Sequence, residues 1–219
     1  MMEIESQWIG RKISELVEGN EGLSILNVGS STGHFRRVAQ PHVHANIFGP
    51  LEDRCTVDHL DMKPADGVDL VGDLADPRFL EDLRRREYDG LLCSNLLEHV
   101  LDPLKTCQCM EACVKSGGFM VVTVPHQYPY HGDPIDTKLR VDVDGLKALF
   151  ADSDLVEGEI IQSDQNHLKH LLSNHTLLVR TVVRWFTPFY QFETWKKVVA
   201  DIPHTLRPYS VACIVLRKR

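Results

Sequence analysis

Short apolar runs alternate with helical periodicities along most of the chain, which predicts a parallel α/β sheet. The runs at 23–28, 88–94 and 119–124 have the length of buried strands, and each is followed or preceded by a helix-like segment of about ten residues. Runs that are apolar at successive positions are typical of strands covered on both faces. The sequence therefore predicts βαβ units in a Rossmann-like, doubly wound α/β fold.

Turn and cap signals set the boundaries of the other elements. Asp76-Pro77 and Asp102-Pro103 each predict an N-cap followed by proline at the first helical position. Further strands are predicted at 54–57 (closing on Asp58), 68–71, about 155–161 and 206–216.

Two stretches depart from the alternation. Residues 1–20 predict an amphipathic N-terminal helix, and residues 164–203 predict a helical, aromatic-rich insertion before the last strand. We interpret 1–219 as a single domain. The insertion is open to three interpretations: a lid or substrate pocket, a dimer face, or a peripheral membrane contact.

The turn at 29–33 is the first candidate ligand site. Strand, small-residue turn and helix follow one another there, an arrangement that places backbone N–H groups and a helix N-terminus beside a ligand. The spacing is Gly29-x-Ser31-x-Gly33, whereas the dinucleotide fingerprint requires G-x-G-x-x-G. This difference counts against an NAD(P)-dependent oxidoreductase.

Polar or small residues fall at the ends of the first four predicted strands. They are Gly29, Asp58, Asp73 and Ser94. Because the carboxyl ends of parallel strands meet at one edge of the sheet, these residues are expected to converge on one cleft. Asp58 is the first candidate to accept ribose hydroxyls, with Asp61 as the neighbouring alternative; Asp73-Leu74 suits an adenine, or else an N-cap.

Several of these segments resemble motifs of the class I S-adenosylmethionine (SAM) methyltransferases. Residues 27–33 resemble their glycine-rich motif, with Asn27 at the usual acid and Ser31 at the middle glycine. Leu97-Glu98-His99-Val100 and the turn at 115–119 resemble the segments that follow strand 4 and precede strand 5. The resemblance implies a seven-stranded, mostly parallel sheet with an antiparallel last strand, and SAM as cofactor.

The resemblance also implies roles for individual residues. The methionine part of the cofactor would contact Asn27, Gly29, Ser30, Ser31 and Gly33. Asp58 would bind the ribose, and Asp73 and Leu74 the adenine. Ser94 and Asn95 would face the methyl group that is transferred.

The loop after the fifth strand is rich in groups that transfer protons. Methyl transfer to a hydroxyl or a protonated amine requires a general base. His126 and His131 titrate in a suitable range, and Asp133 could orient a histidine or act as the base. These three are the catalytic candidates, and no metal site is predicted.

Composition limits the class of protein and its surroundings. A net charge of −7 argues against a dedicated nucleic-acid binder. The acidic N-terminus lacks an apolar signal core, no run is long enough to span a bilayer, and the six cysteines are expected to be reduced thiols. These features predict a cytoplasmic protein.

The sequence as a whole predicts a SAM-dependent methyltransferase of biosynthesis. It would act on an oxygen or nitrogen nucleophile of a small-molecule or saccharide acceptor. The alternatives are a catalytically weak or inactive protein that binds SAM or S-adenosylhomocysteine (SAH), and an NAD(P)-dependent oxidoreductase. A homodimer is left open.

Overall fold

A computed structural model of the chain describes residues 1–129, 135–166, 175–187 and 207–219, together with positions 169, 172, 189, 192, 195, 196 and 199. Seven strands form one sheet in the order β3-β2-β1-β4-β5-β7-β6. β7 runs antiparallel to both of its neighbours, and the other pairs are parallel. The predicted seven-stranded, mostly parallel α/β fold is confirmed.

The strands are β1 Leu23–Val28, β2 Cys55–Asp61, β3 Leu70–Val71, β4 Tyr88–Ser94, β5 Val114–Gln127, β6 Ser153–Asn166 and β7 Pro208–Lys218. The α-helices are α1 Glu3–Val17, α2 Pro41–Val43, α3 Pro77–Arg84, α4 Pro103–Cys113, α5 Val143–Lys147 and α6 His175–Trp185. Short π-helical and 3-10 turns (Phe35–Ala39, His44–Phe48, Gly49–Leu51 and Leu97–His99) make up the other helical segments.

Both faces of the sheet are covered, so successive residues of its central strands are buried. Leu26 of β1 faces a cluster that includes Met110 of α4. Ile25, one residue earlier, faces the opposite cluster, which includes Trp8 and Ile9 of α1. This double burial explains why the central strands are continuously apolar in sequence.

The predicted helix caps lie where the sequence places them. The Asp76 carboxylate accepts a hydrogen bond from the Arg78 N–H at 2.9 Å, and the Asp102 carboxylate accepts one from the Lys105 N–H at 3.0 Å. Each satisfies a donor that the first turn of a helix leaves without an intrahelical partner.

The second strand is longer than predicted. It continues through Asp58 and His59 to Asp61, and β3 pairs only with its last two residues. The rest of β2 lies at an open edge, where polar side chains reach solvent or local partners and do not end a strand. The expectation that the strand closes on Asp58 is therefore wrong.

The stretch at 164–203 overlaps two described elements. β6 extends to Asn166, and α6 lies within the stretch. Most of its other residues lie outside the described part of the chain, so the insertion and the single-domain organisation stay predictions.

Candidate functional site

The turn after β1 brings backbone groups to the carboxyl edge of the sheet. Gly29 and Ser31 have φ angles of 70° and 54°, a left-handed conformation that glycine adopts freely and serine rarely. A Cβ atom on Gly29 would lie 2.9 Å from Leu96 Cδ1, in the segment that follows β4. The turn is therefore tight, and a side chain at Gly29 would require both a left-handed backbone and a shift of the Leu96 side chain.

A buried guanidinium holds this turn in place. Arg36 is 6% exposed, and its Nη1 donates to the carbonyl oxygens of Ser30 and Ser31 at 2.7 and 2.8 Å. Its Nη2 donates to the Gly67 carbonyl at 2.5 Å. Sequence reasoning missed Arg36, because nothing in the pattern distinguishes it from the exposed Arg37 beside it.

The acid next to the turn is Asp61. The Ser31 N–H donates to Asp61 Oδ2 at 2.9 Å, and the Lys63 N–H donates to Oδ1 at 3.1 Å. The side chain is only partly buried, and each carboxylate oxygen can accept more than one hydrogen bond. Asp61 thus presents a charged acceptor at the end of β2.

Asp58 lies three residues earlier in the strand and is engaged elsewhere. Its Oδ2 accepts hydrogen bonds from Arg86 Nη1 at 2.9 Å and from the Tyr88 hydroxyl at 2.5 Å. Burial, followed by the contact with Asp58, raises the pKa of Tyr88, which stays a neutral donor. Asp58 therefore ties β2 to the start of β4, on the other side of β1, and its predicted position at the ligand edge is corrected, because β2 ends three residues later at Asp61.

Asn27 is buried and makes a contact across β1 and β2. Its Nδ2 lies 2.9 Å from His59 Nδ1. Desolvation, helped by the nearby Arg36 charge, lowers the pKa of His59 to about 4, so the ring is neutral and its Nδ1 accepts from the amide. The Asn27 amide nitrogen is therefore already committed to a protein partner.

Asp73 and Leu74 follow β3 at the same edge. Asp73 Oδ1 accepts a hydrogen bond from the Ala75 N–H at 2.8 Å, and the side chain is exposed. Leu74 is partly buried against the core cluster that contains Leu26. The N-cap of α3 is Asp76, so Asp73 is not needed as a cap.

The end of β4 is tied to the first helix. Asn95 has a φ of 51°, and its Nδ2 donates to Glu5 Oε1 at 2.7 Å. The Thr123 hydroxyl of β5 donates to the same oxygen at 2.7 Å. The Asn95 amide is thus directed to Glu5, whereas Ser94, the last residue of β4, stays a predicted ligand contact.

Glu5 itself was not among the predicted residues. It is 1% exposed, and its Oε2 accepts a hydrogen bond from the Met2 N–H at 3.1 Å. A signal was present: Glu5 lies three and four residues before Trp8 and Ile9, on the apolar face of α1. A charged residue on that face indicates a buried polar partner.

The loop after β5 carries the catalytic candidates. His126 is partly buried, and its Nδ1 lies 3.1 Å from the Val141 carbonyl oxygen. Because a carbonyl only accepts, Nδ1 bears the hydrogen, and Nε2 is the proton acceptor of the neutral ring. His131 and Asp133 lie outside the described residues.

The described part of this loop is bonded to residues at the start of the loop and to the segment after β4. The Arg140 guanidinium forms a two-pronged ion pair with Asp136, at 2.7 and 3.2 Å, and Arg140 Nε donates to the Tyr128 carbonyl at 3.2 Å. The Thr137 N–H donates to the Glu98 carbonyl at 2.8 Å. Residues 135–140 are thereby docked at the carboxyl edge.

An open groove of about 670 Å³ lies beside this edge. Tyr128 and Tyr209 form an aromatic wall, with ring centroids 4.7 Å apart. Burial raises the pKa of both phenols, that of Tyr209 to about 12, so both are neutral. The other described lining residues are Met2, Glu3, Ile4, Gln7, Ser163, Asp164 and Gln165.

The described residues offer neither a metal cluster nor a disulfide. No group of three or more potential metal ligands occurs among them, and all six cysteines are free thiols. Cys107, Cys109 and Cys113 of α4 are buried, and desolvation raises the pKa of each thiol. In the part of the chain that the structure covers, no helix has the length and apolar character needed to cross a bilayer.

Comparison with known families and structures identifies the class. The profile of the methyltransferase domain family matches residues 3–190 of the chain. The chain therefore belongs to this family, within the class I SAM-dependent methyltransferases. No curated protein matches the sequence.

Solved structures share the fold at low sequence identity. The [4+2]-cyclase SpnF is 15% identical with a TM-score of 0.56, covering 97% of this chain and 80% of its own. A putative sarcosine dimethylglycine methyltransferase from Galdieria sulphuraria is 13% identical with a TM-score of 0.54, covering 98% and 85%. Coclaurine N-methyltransferase, bound to N-methylheliamine and SAH, is 12% identical with a TM-score of 0.54, covering 100% and 72%. At such identities the likeness extends to the fold alone.

Proposed function

We propose that this protein transfers the methyl group of SAM to an oxygen or nitrogen nucleophile of a small-molecule or saccharide acceptor. The observation that carries the proposal is the meeting of three features at one sheet edge. These are the glycine turn at 29–33, the Asp61 carboxylate bonded to it, and the Asp73-Leu74 pair after the neighbouring β3. Because the chain belongs to a methyltransferase family, we take this edge as the binding place of the methyl donor.

The residues of this edge fit the cofactor. Asp61 would accept the ribose hydroxyls, because its half-buried carboxylate retains acceptor capacity beyond the Ser31 N–H. Leu74 and Asp73 would contact the adenine ring and its amine, and the backbone of 29–33 would hold the methionine portion. When bound, SAM supplies an electrophilic methyl group on a sulfonium.

On the acceptor side, the residues of the chain would orient the nucleophile and take its proton. His126 is suited to proton removal, because the Val141 carbonyl fixes the hydrogen on Nδ1 and leaves Nε2 as the base. His131 and Asp133 stay candidates for the same task. In-line displacement requires positioning first, and the docked loop at 135–140 would contribute to it.

The groove beside Tyr128 supports a neutral or cationic acceptor. Its described lining contains two acids, Glu3 and Asp164, and no basic side chain. An anionic acceptor would meet like charge there, whereas an amine would be attracted and the Tyr128–Tyr209 wall could stack on an apolar or sugar face. This charge pattern favours amines and hydroxyl compounds over phosphates and carboxylates.

The alternative is a protein that binds SAM or SAH with little or no catalysis. The commitment of the Asn27 amide to His59 favours it, since that side chain stands where the family usually has an acid. A fold neighbour that is a cyclase shows that this architecture also serves other reactions. Binding without turnover would support this alternative.

Two measurements separate the possibilities. Titration calorimetry with SAM, SAH and NAD should show binding of the first two and none of NAD; binding of NAD alone would exclude a methyltransferase. SAH release should then be measured with a panel of amine, hydroxyl and carboxylate acceptors, comparing wild type with His126→Asn. The asparagine can still donate to Val141 but cannot act as base, so we expect kcat to fall by roughly 100-fold or more with KM little changed.

A further inference from the structure

The segment after β4 contains a buried carboxyl group without a hydrogen-bond partner. Glu98 is 0% exposed, and among the residues that the structure describes neither Oε1 nor Oε2 has a hydrogen-bond partner. A carboxyl group in such a place is stable only when it is protonated or faces a cation. The ring of His99 is the adjacent titratable group, with Nε2 3.7 Å from Glu98 Oε1.

The other ring nitrogen of His99 determines how protons are distributed between the two side chains. Nδ1 contacts the carbonyl oxygen of Ile135, which can only accept, so Nδ1 carries a hydrogen. Nε2 therefore bears a proton only when the ring is cationic. Either Glu98 is protonated opposite a neutral ring, or the carboxylate faces an imidazolium. In both arrangements a single proton lies between Glu98 and His99.

The same two residues anchor the loop after β5. The N–H and the hydroxyl of Thr137 donate to the Glu98 carbonyl oxygen at 2.8 and 3.1 Å, and His99 holds the Ile135 carbonyl. Loss of this proton leaves an uncompensated buried charge between the side chain of Glu98, whose main-chain carbonyl holds Thr137, and the ring of His99, whose Nδ1 holds Ile135. The docking of residues 135–140 is therefore linked to that proton.

We propose that the proton shared by Glu98 and His99 positions the loop after β5, and that its loss releases residues 135–140 from the carboxyl edge of the sheet. Glu98 is thus a positioning residue that acts through His99 and the loop. Only the consequence for acceptor binding rests on the proposed function; the linkage between proton and loop does not.

The charged groups around Glu98 set the pH range. Burial is the largest cause and raises its pKa to about 7, with Glu5 of α1 adding to the effect and His99 and Arg140 opposing it. The ordinary value is 4.5, so the folded state favours the protonated form. The stabilisation is fully present below about pH 4.5 and is lost as the pH rises through about 7.

The test uses the protein without cofactor or acceptor. Amide hydrogen exchange at 135–140 is measured from about pH 5.5 to 8.5, corrected for intrinsic rates, alongside ¹⁵N-histidine NMR spectra, with the His99 signals assigned from His99→Asn. In wild type we expect His99 to stay protonated on Nδ1 throughout, and Thr137 exchange to increase roughly fivefold or more above pH 7. In Glu98→Gln, which cannot titrate but can donate to Nε2, we expect no such step.

Glu111→Gln is the matched control. Glu111 is also a buried glutamate (2% exposed), but its Oε1 accepts hydrogen bonds from the Asp152 N–H and the Ser153 hydroxyl, away from the loop. This variant should keep the wild-type step. A step of the same size and midpoint in Glu98→Gln, or a flat wild-type profile, would overturn the proposal.

The consequence for activity is measured separately. With any acceptor of the panel that turns over, wild-type KM should rise above pH 7 while that of Glu98→Gln stays level; a purely structural role would change KM equally at all pH values. If exchange shows the step and no acceptor reacts, the proposed function fails and the proton linkage stands.

Discussion

At the scale of single residues, two aspartates three positions apart have different tasks. Asp58 bonds to Arg86 and Tyr88, whereas Asp61 bonds to the Ser31 N–H in the glycine turn. The strand register decides between them, because it carries β2 past Asp58 to the ligand edge. Sequence spacing alone could not show this.

Substitution of each aspartate by asparagine should separate these tasks. Asp61→Asn keeps an acceptor for the Ser31 N–H but removes the charge that would face the ribose, so we expect SAM affinity to fall by roughly 10- to 100-fold. Asp58→Asn should leave SAM affinity within about twofold and lower the stability by roughly 1–2 kcal/mol. Calorimetry and denaturant unfolding measure the two effects; a larger loss of affinity in Asp58→Asn would return the ribose role to that residue.

His59 should make stability depend on pH. Its folded pKa of about 4 lies below the ordinary 6.5, so the stabilisation is present above pH 6.5 and is lost as the pH falls toward 4. Over that range His59 should account for up to roughly 3 kcal/mol.

The measurement is denaturant unfolding of wild type and His59→Gln between about pH 4 and 7. The glutamine variant should show a flatter profile, because it cannot be protonated. Parallel profiles would mean that His59 is not the group responsible.

At the scale of elements, the sequence predicts best where burial is symmetric. β1 and β4 have the predicted bounds, because both of their faces are apolar and turns follow at once. β2 was predicted short because its open edge accepts polar residues. The helix expected after the glycine turn is present as the π-helical turn Phe35–Ala39. The turn at His44–Phe48 has no pattern of its own, because it follows from the packing of Ile47 and Phe48 with Trp8 of α1.

The docking of α1 should depend on Glu5. In Glu5→Ala the buried hydroxyl of Thr123 and the amide of Asn95 lose their common acceptor, so we expect a loss of roughly 3 kcal/mol. Glu3→Ala, in the same turn but exposed, should change stability by less than about 0.5 kcal/mol. Denaturant midpoints measure the loss of stability in both variants. Equal losses would show that the contacts of Glu5 make no specific contribution to stability.

At the scale of the whole molecule, the surface near α6 bears on the open question of a dimer. Phe186 and Phe189 are 79% and 99% exposed, and Val179 is 61% exposed. In a single copy of the chain these side chains contribute little to folding, because they bury little area. The lid interpretation and the dimer interpretation make different predictions for them.

We expect the lid interpretation to hold. The Tm should then be independent of protein concentration over about a hundredfold range, and Phe186→Ser with Phe189→Ser should leave it unchanged. A Tm that rises with concentration in wild type, and not in the double variant, would instead establish that a second copy covers this face.

The position of β7 between β5 and β6 constrains the order in which the fold can be made. Among the described strands, β6 pairs with β7 alone, although β7 follows it by more than forty residues of chain. While the ribosome is still synthesising the intervening stretch, β6 has no strand beside it and β5 lacks its outer neighbour. Unpaired strand edges attract other chains, so this protein should be most prone to aggregate during synthesis, in the interval before its last strand emerges.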